Sequence, residues 1–127
     1  MAKIFVLEDD KDIREVLEWI LESENYEVLS FNTLNDFMIR DRRDLPDLFI
    51  LDVRLPDGSG LEVCKQLRNE CADSSIPILI MSAHANMQQV QSGCNADGFI
   101  QKPFELNHFL NIIRMQLSSS SSVAGDP

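Results

Sequence analysis

Short strand-like runs alternate with helix-like segments along the chain, and this alternation constrains the fold more than any other feature of the sequence. The runs are Ile4–Leu7, Glu27–Ser30, Leu48–Leu51, Ile78–Met81 and Gly98–Ile100. The segments between them carry apolar residues three and four positions apart, which is the spacing of one face of an α-helix. Strands separated by helices of this length form parallel sheets with right-handed crossovers. The sequence therefore predicts an α/β domain of five βα units with helices on both faces of the sheet.

The helices have recognisable starts and apolar faces. Asp12, followed three residues later by Glu15, resembles a capping box at the start of the first helix, and Thr33 with Asp36 has the same spacing at the second. The residues predicted to face the core are, helix by helix, Ile13, Val16, Leu17, Ile20 and Leu21; Leu34, Phe37 and Met38; Leu61, Cys64, Leu67 and Cys71; and, in the last helix, Leu106, Phe109, Leu110, Ile113 and Leu117.

Two segments have weaker patterns. Asn86–Ser92 contains only Met87 and Val90 as apolar residues before a glycine, so we expect a weakly anchored helix there. The serine-rich run after Leu117 has no periodicity, and its composition predicts a flexible tail. We therefore expect one domain over residues 1–117 and a tail, either a linker or a non-native remnant, over residues 118–127.

Charge and cysteine content narrow the class of protein. The net charge of −10 makes direct binding to nucleic acid unfavourable, because phosphate contacts need clustered cations. The basic cluster Arg40, Arg42 and Arg43 is interrupted by Asp41 and fits a solvated helix end better. No apolar run is long enough for a bilayer, and the N-terminus has no signal-peptide pattern, so no membrane partner is expected. The three cysteines lack metal-site spacing and indicate reduced thiols, which favours a cytoplasmic location.

Polar and charged side chains follow four of the predicted strands. Glu8, Asp9 and Asp10 follow the first strand, Asp52 the third, Ser82 the fourth and Lys102 the fifth. Taken singly, a strand-end Asp is more often a turn former or a helix cap, and a lone Lys is more often solvated. In an open parallel sheet, however, the carboxyl ends of the strands meet at one edge, where ligands bind. Their combination at this edge indicates a functional site.

The chemistry that uses this set of groups is phosphoryl transfer to a carboxylate. Mg²⁺ prefers oxygen ligands and binds through one or two carboxylates, and such an ion offsets the repulsion within the acidic cluster. An Asp carboxylate can act as the nucleophile and form an acyl phosphate. A lysine ammonium and a serine hydroxyl can bind the oxygens of the transferred group.

With these groups in place, the sequence resembles the receiver domain of two-component response regulators. The segments that carry the resemblance are FVLEDDKDIREVL, LFILDVRLPDGSGLEV, IPILIMSAHA and DGFIQKPF, in the family's order and with similar spacing. The matching features as a whole span residues 3 to about 117, and the four segments lie within that range. The resemblance implies a doubly wound, flavodoxin-like (βα)5 fold, similar to that of CheY, whose five-stranded parallel sheet has the order 2-1-3-4-5.

The resemblance also implies a Mg²⁺-dependent phosphoacceptor. Asp52 matches the acceptor, and Glu8 and Asp9 match the family's acidic pair, of which Asp9 is favoured as the direct metal ligand. The backbone carbonyl of Arg54 completes the expected protein ligands.

Further positions are expected to read out phosphorylation. Ser82 and Lys102 match the family's hydroxyl and lysine, and Pro103 suggests a cis peptide bond after Lys102. Phe99 lies at the position of the family's switch aromatic, although without the resemblance a core aromatic is the simpler interpretation. The implied mechanism is a population shift in which Ser82 moves toward the phosphoryl group and Phe99 rotates, which alters the surface of the fourth helix, fifth strand and fifth helix.

The resemblance also has implications for the lifetime of the phosphoryl group and for the binding partners of the chain. Arg54 and His84 flank the expected path of attacking water and are expected to tune phosphoryl lifetime. The implied partners are a sensor histidine kinase or a histidine phosphotransfer protein, and an output domain or protein; a phosphorylation-dependent homodimer is also compatible. The chain would then be a regulatory phosphoacceptor that catalyses only its own phosphorylation and dephosphorylation.

Two alternatives share part of this chemistry. A phosphohydrolase of the haloacid dehalogenase type also uses a strand-end Asp with Mg²⁺, but it has a second Asp two residues later, where this chain has Arg54. A pseudo-receiver would bind partners without phosphorylation, and the complete set of acids, hydroxyl and lysine disfavours it.

Overall fold

The computed structural model of the chain describes residues 1–41, 43–69, 75–83 and 96–125, with side chains through residue 118. In chain order the elements are β1 (Lys3–Leu7), α1 (Lys11–Ser23), β2 (Glu27–Phe31), α2 (Leu34–Met38), β3 (Leu48–Asp52), β4 (Arg54–Leu55), β5 (Gly58–Ser59), α3 (Gly60–Asn69), β6 (Ile78–Ser82), β7 (Gly98–Gln101) and α4 (Leu106–Gly125).

The main sheet has five parallel strands in the order β2-β1-β3-β6-β7. Since β6 and β7 are its fourth and fifth strands, this confirms the predicted α/β fold and the order 2-1-3-4-5. The remaining strands, β4 and β5, form a two-stranded antiparallel hairpin within the turn RLPDGSG, where the sequence pattern predicted only a turn.

Alternating side chains of the central strands build two cores, one on each face of the sheet. Even-numbered residues of β1 and β3, such as Ile4 and Ile50, pack with α1 and α4, whereas odd-numbered residues such as Phe5 and Phe49 pack with α2 and α3. Every residue of β3 is buried, as its continuous apolar run predicted. Burying each such side chain contributes about 1.5–3 kcal/mol, so this alternation holds the helices on both faces.

The predicted helix faces are confirmed in their centres and wrong at two edges. Leu17, Ile20 and Leu21 are buried in α1, but Val16 is 51% exposed, because it lies about 100° around the helix from Leu17. Leu106 is 46% exposed at the start of α4. There the space against the sheet is filled by Phe104, which stacks on Phe109 with ring centroids 4.8 Å apart.

The last helix is longer than expected. The sequence predicted that it ends near Leu117, but α4 continues to Gly125. Serine is only a modestly weaker helix former than alanine, and neither glycine nor proline occurs between Leu106 and Gly125. This explains the difference. The flexibility of residues 118–127 stays a prediction.

Several predicted features lie outside the described residues: the helix Asn86–Ser92, His84, Cys71 and Cys94. Within the described ranges, Cys64 is buried as predicted. No helix in those ranges combines the length and apolarity needed to cross a bilayer.

Candidate functional site

The site residues come together because four parallel strands end at one edge of the sheet. Glu8 follows β1, Asp52 ends β3 and Ser82 ends β6; Lys102 follows β7 by one residue. The strand registers pair Leu7 with Leu51, Asp52 with Met81, and Ser82 with Gln101, so the strand ends are level. The structure thus brings together the residues that the sequence placed at this edge.

Three carboxylates form the centre of the site. Glu8, Asp9 and Asp52 each offer an oxygen, and these oxygens lie within 4.8 Å of one another. Glu8 is fully buried and Asp52 is 6% exposed, whereas Asp9 is exposed at the rim. A donor set of oxygens with one open side fits a hard divalent cation that keeps part of its water shell. These residues therefore fit Mg²⁺.

The carboxylates face an open cleft of about 270 Å³. A water molecule occupies roughly 30 Å³ in the liquid, so the cleft has room for a hydrated ion and a phosphoryl group together. The residues that line it are Glu8, Asp9, Asp10, Ile13, Asp52, Arg54, Ser82, Ala83 and Lys102.

Lys102 bridges two of the carboxylates. Its Nζ lies 2.6 Å from Oε1 of Glu8 and 3.2 Å from Oδ2 of Asp52. Its backbone N–H donates to the carbonyl of Ser82 at 2.9 Å, which fixes the lysine relative to β6. The Lys102–Pro103 peptide bond is cis, as the resemblance implied.

The electrostatics of the cluster reflect crowding of like charges. Burial raises the pKa of Glu8, and the neighbouring carboxylate of Asp52 raises it further, against the opposing effect of Lys102. Partial desolvation at the rim of the cleft and the neighbouring Glu8 raise the pKa of Asp9. Burial opposes the charged form of Lys102, but the carboxylates of Glu8 and Asp52 outweigh it and raise the pKa of the lysine. The site therefore holds one ammonium among three acids and favours a further cation.

The acids of the segment EDDKD have separate roles. Asp10 caps α1, because its Oδ1 accepts the backbone N–H groups of Asp12 at 2.9 Å and Ile13 at 3.2 Å. The predicted capping role of Asp12 is therefore wrong. Asp10 has the extended backbone that an N-cap needs, whereas Asp12 already lies in the first helical turn. Thr33, by contrast, caps α2 as predicted and accepts from the N–H of Asp36 at 3.0 Å.

The structure describes three of the positions predicted to respond to phosphorylation or to tune the lifetime of the phosphoryl group. Arg54 lines the cleft with an exposed side chain. Ser82 is 1% exposed, and Phe99 is partly buried in the edge strand β7, packed on the core that faces α2 and α3. Their roles in switching stay predictions.

Two residues near the site were not singled out from the sequence. Arg14 donates through Nη1 to the backbone carbonyls of Glu8 and Asp9. Gly60 packs against the phosphoacceptor candidate so closely that a Cβ there would lie 2.0 Å from the carbonyl oxygen of Asp52. The sequence signal for Arg14 is a cation in the first turn of a helix, where the dipole disfavours it.

The chain matches one protein family over most of its length. The family model of the response regulator receiver domain matches residues 4–114. The KDP operon transcriptional regulatory protein KdpE of Escherichia coli strain K12 is 31% identical over 130 aligned positions, which cover 100% of this chain and 56% of KdpE. The chain spans about half the length of the curated relatives it matches.

Solved structures agree with the fold. The non-phosphorylated HemR receiver domain of Leptospira biflexa has a TM-score of 0.84 and 32% identity, over 93% of this chain and 95% of that one. The receiver domain of the sensor histidine kinase PA1611 of Pseudomonas aeruginosa has a TM-score of 0.83 and covers 92% of this chain and 98% of its own. It holds a magnesium ion in its active-site cleft, but at 21% identity the likeness shows the fold alone.

Proposed function

Because the chain belongs to the response regulator receiver domain family, we propose that Asp52 accepts a phosphoryl group from a phosphohistidine of a kinase or phosphotransfer protein. The observation that carries the proposal is the placement of Asp52. Its carboxylate is nearly buried, lies 3.2 Å from the ammonium of Lys102, and faces a cleft beside two further acids.

The transfer is a displacement at phosphorus. An oxygen of Asp52 attacks the phosphorus, the new P–O bond forms as the P–N bond to the donor imidazole breaks, and the imidazole leaves with its electron pair. A bound Mg²⁺ supplies positive charge that stabilises the phosphoryl oxygens in the transition state. We assign Glu8, Asp9, Asp52 and the backbone carbonyl of Arg54 as the protein groups that would hold this ion.

Lys102 and Ser82 are proposed to bind the transferred group. The ammonium of Lys102 is already next to Asp52 and needs only to exchange carboxylate oxygens for a phosphoryl oxygen. Ser82 ends the neighbouring strand, and its hydroxyl can donate a hydrogen bond to a second phosphoryl oxygen. Arg54 and His84 are proposed to control how long the acyl phosphate lasts against hydrolysis.

The output is proposed to be a change in binding surface. Movement of Ser82 toward the phosphoryl group would make room for Phe99 to rotate from its partly buried position in β7. That would bias the surface formed by the predicted helix Asn86–Ser92, β7 and α4 toward an output domain, a partner protein or a second copy. Since the relatives are about twice as long, an output region in the same polypeptide is the favoured partner, and the cytoplasm is the proposed location.

The test uses acetyl phosphate as a small phosphoryl donor. We expect wild-type protein with Mg²⁺ to gain one hydroxylamine-labile phosphoryl group by intact mass, because hydroxylamine cleaves acyl phosphates. Asp52→Asn should gain none. The control is Asp36→Asn, which removes an acid from α2 away from the site and should label like wild type.

Labelling that persists in Asp52→Asn would refute the assignment of the acceptor. If wild-type protein were not labelled by acetyl phosphate or by any kinase, the chain would instead be a pseudo-receiver that binds partners without phosphorylation.

A further inference from the structure

Arg14 makes contacts that phosphoryl transfer at Asp52 does not explain. Its Nη1 lies 3.0 Å from the carbonyl oxygen of Glu8 and 3.3 Å from that of Asp9. These carbonyls belong to the two residues whose side chains, with Asp52, form the candidate metal site. Hydrogen bonds from a guanidinium are charge-assisted and stronger than those between neutral groups.

The geometry of these two bonds determines what they can control. The carbonyl of Glu8 belongs to the peptide group that precedes the Cα of Asp9, and the carbonyl of Asp9 belongs to the one that follows it. One nitrogen atom therefore holds both peptide groups that flank Asp9. Because the orientations of these two groups set φ and ψ of the residue, they also set the direction of its Cα–Cβ bond.

Asp9 needs such support more than the other two acids. Asp52 ends a central strand of the sheet, and Glu8 is anchored by its own backbone N–H, which donates to the carbonyl of Phe31 at 3.0 Å. Asp9 is exposed and lies between β1 and α1, outside both elements. An exposed carboxylate without a fixed direction would lose more conformational entropy on binding an ion.

We propose that Arg14 is a positioning residue that aims the Asp9 carboxylate at the divalent cation and so raises the affinity of the site. This inference rests on the proposed metal site. The positive charge of Arg14 has the opposite effect on cation affinity, because a guanidinium near a cation site repels the cation. Positioning and charge therefore predict opposite effects of removing Arg14.

The experiment compares variants that separate contact from charge. Arg14→Lys keeps the charge, but its side chain is one bond shorter and its ammonium cannot span both carbonyls from the same position. Arg14→Gln removes the charge, and its shorter side chain cannot reach the two carbonyls. Lys11→Gln is the matched control, since Lys11 lies on the same helix, is exposed, and has Glu15 as its ion-pair partner at 3.9 Å.

The readouts are the Mg²⁺ dissociation constant, from titration calorimetry at low and high NaCl, and the hydrogen-exchange rate of the Asp10 amide without metal. This amide donates to Oε2 of Glu8 at 3.2 Å and reports on the order of the loop. We expect Arg14→Lys and Arg14→Gln both to weaken Mg²⁺ binding, by roughly tenfold as for other residues that orient metal ligands. The loss should persist at high salt, which screens charge effects, and the Asp10 amide should exchange faster.

Other results would overturn the proposal. If Arg14→Lys bound Mg²⁺ like wild type and Arg14→Gln bound it more tightly, Arg14 would act only through its charge. A lower melting temperature with unchanged Mg²⁺ affinity would show a role in folding alone. If wild-type protein did not bind Mg²⁺, the metal site itself would fail, and the role of Arg14 with it. Lys11→Gln should match wild type within about twofold, as expected for an exposed charge.

Discussion

At the scale of single residues, the most informative feature is how the structure separates neighbouring acids. Glu8 is buried against Lys102, Asp9 is exposed at the rim of the cleft, and Asp10 caps a helix. Only the first two lie in the carboxylate cluster with Asp52. Adjacent residues of the same charge type therefore serve different purposes, because the chain turns from strand to helix between them.

The Asp9 carboxylate is predicted to lower the stability of the metal-free fold and to contribute to the stabilisation by Mg²⁺. Partial desolvation of this carboxylate at the rim of the cleft and the neighbouring Glu8 raise its pKa, so its ionised form opposes folding. This cost is full above the folded-state pKa, shrinks as the pH falls through that pKa, and is gone below the unfolded pKa of about 4. Without metal, Asp9→Asn should raise the unfolding midpoint at pH 7.5, and the gain should shrink toward pH 4. With Mg²⁺, wild type should be stabilised and Asp9→Asn much less so.

Denaturant unfolding of both proteins with and without Mg²⁺ checks this prediction. Glu15→Gln is the control, since it makes the same change of charge on the neighbouring helix. A variant at Asp9 that was less stable than wild type without metal, or equally stabilised by Mg²⁺, would contradict the role assigned to this carboxylate.

Gly60 is predicted to be required for the position of Asp52. A Cβ at this residue would lie 2.0 Å from the carbonyl oxygen of Asp52 and 2.8 Å from its carbonyl carbon, and backbone atoms in a central strand cannot move aside cheaply. Gly60→Ala should lower the free energy of unfolding by about 3 kcal/mol, the upper part of the usual range for forced overpacking. It should also slow phosphorylation by acetyl phosphate.

Gly58→Ala provides the comparison. Its Cβ would meet Cδ1 of Leu34 at 2.6 Å, but that atom is the end of a side chain that can rotate. We expect a loss below about 1 kcal/mol, as for most surface substitutions. Equal losses at both glycines, measured by urea unfolding, would show that the close approach to Asp52 is not the cause.

At the scale of elements, the β4–β5 hairpin follows the strand of Asp52 and contacts the start of α2. Asp57, in the turn of this hairpin, accepts the backbone N–H groups of Leu34 at 2.9 Å and Asn35 at 3.0 Å. The short helix α2 is therefore capped twice, by its own Thr33 and by a residue from another part of the chain. This contact holds the loop after Asp52 against α2.

Asp57 is predicted to stabilise the fold in a pH-dependent way. The N–H groups of Leu34 and then Asn35 lower its pKa, so its contribution is present above the unfolded pKa of about 4 and is lost as the pH falls through the lower folded value. Asp57→Asn should be less stable than wild type at pH 7, and the difference should shrink toward pH 2.

Unfolding midpoints across this pH range provide the measurement. Asp36→Asn, within α2, is the matched control for loss of an acid from the same region. A difference between wild type and Asp57→Asn that stayed constant down to pH 2 would show that the carboxylate charge does not carry the effect.

At the scale of the whole molecule, the fold could be predicted because local patterns agree with the topology. Runs such as Leu48–Leu51 fix buried strands, and the helix-spaced segments between strands fix a parallel sheet. The predicted sheet determines where its strands end, and it therefore places Glu8, Asp52, Ser82 and Lys102 at one edge.

What could not be predicted depends on contacts between residues distant in sequence or on exact backbone geometry. The cap of α1 is Asp10 and not Asp12, because the helix begins at Lys11, two residues earlier than the capping pattern suggests. The contact of Asp57 with α2 joins residues 22 and 23 positions apart, and no local pattern reveals it. The close approach of Gly60 to Asp52 likewise exists only in three dimensions.

The central claim is that Asp52 itself carries the phosphoryl group, and site mapping in wild-type protein tests it most directly. The protein is treated with acetyl phosphate and Mg²⁺ and then with borohydride, which reduces an aspartyl phosphate to homoserine and leaves free carboxylates unchanged. Peptide mass spectrometry should find homoserine at position 52 alone, and only when Mg²⁺ was present. Reduction at Glu8 or Asp9 instead, or homoserine at position 52 formed equally well with EDTA, would contradict the account.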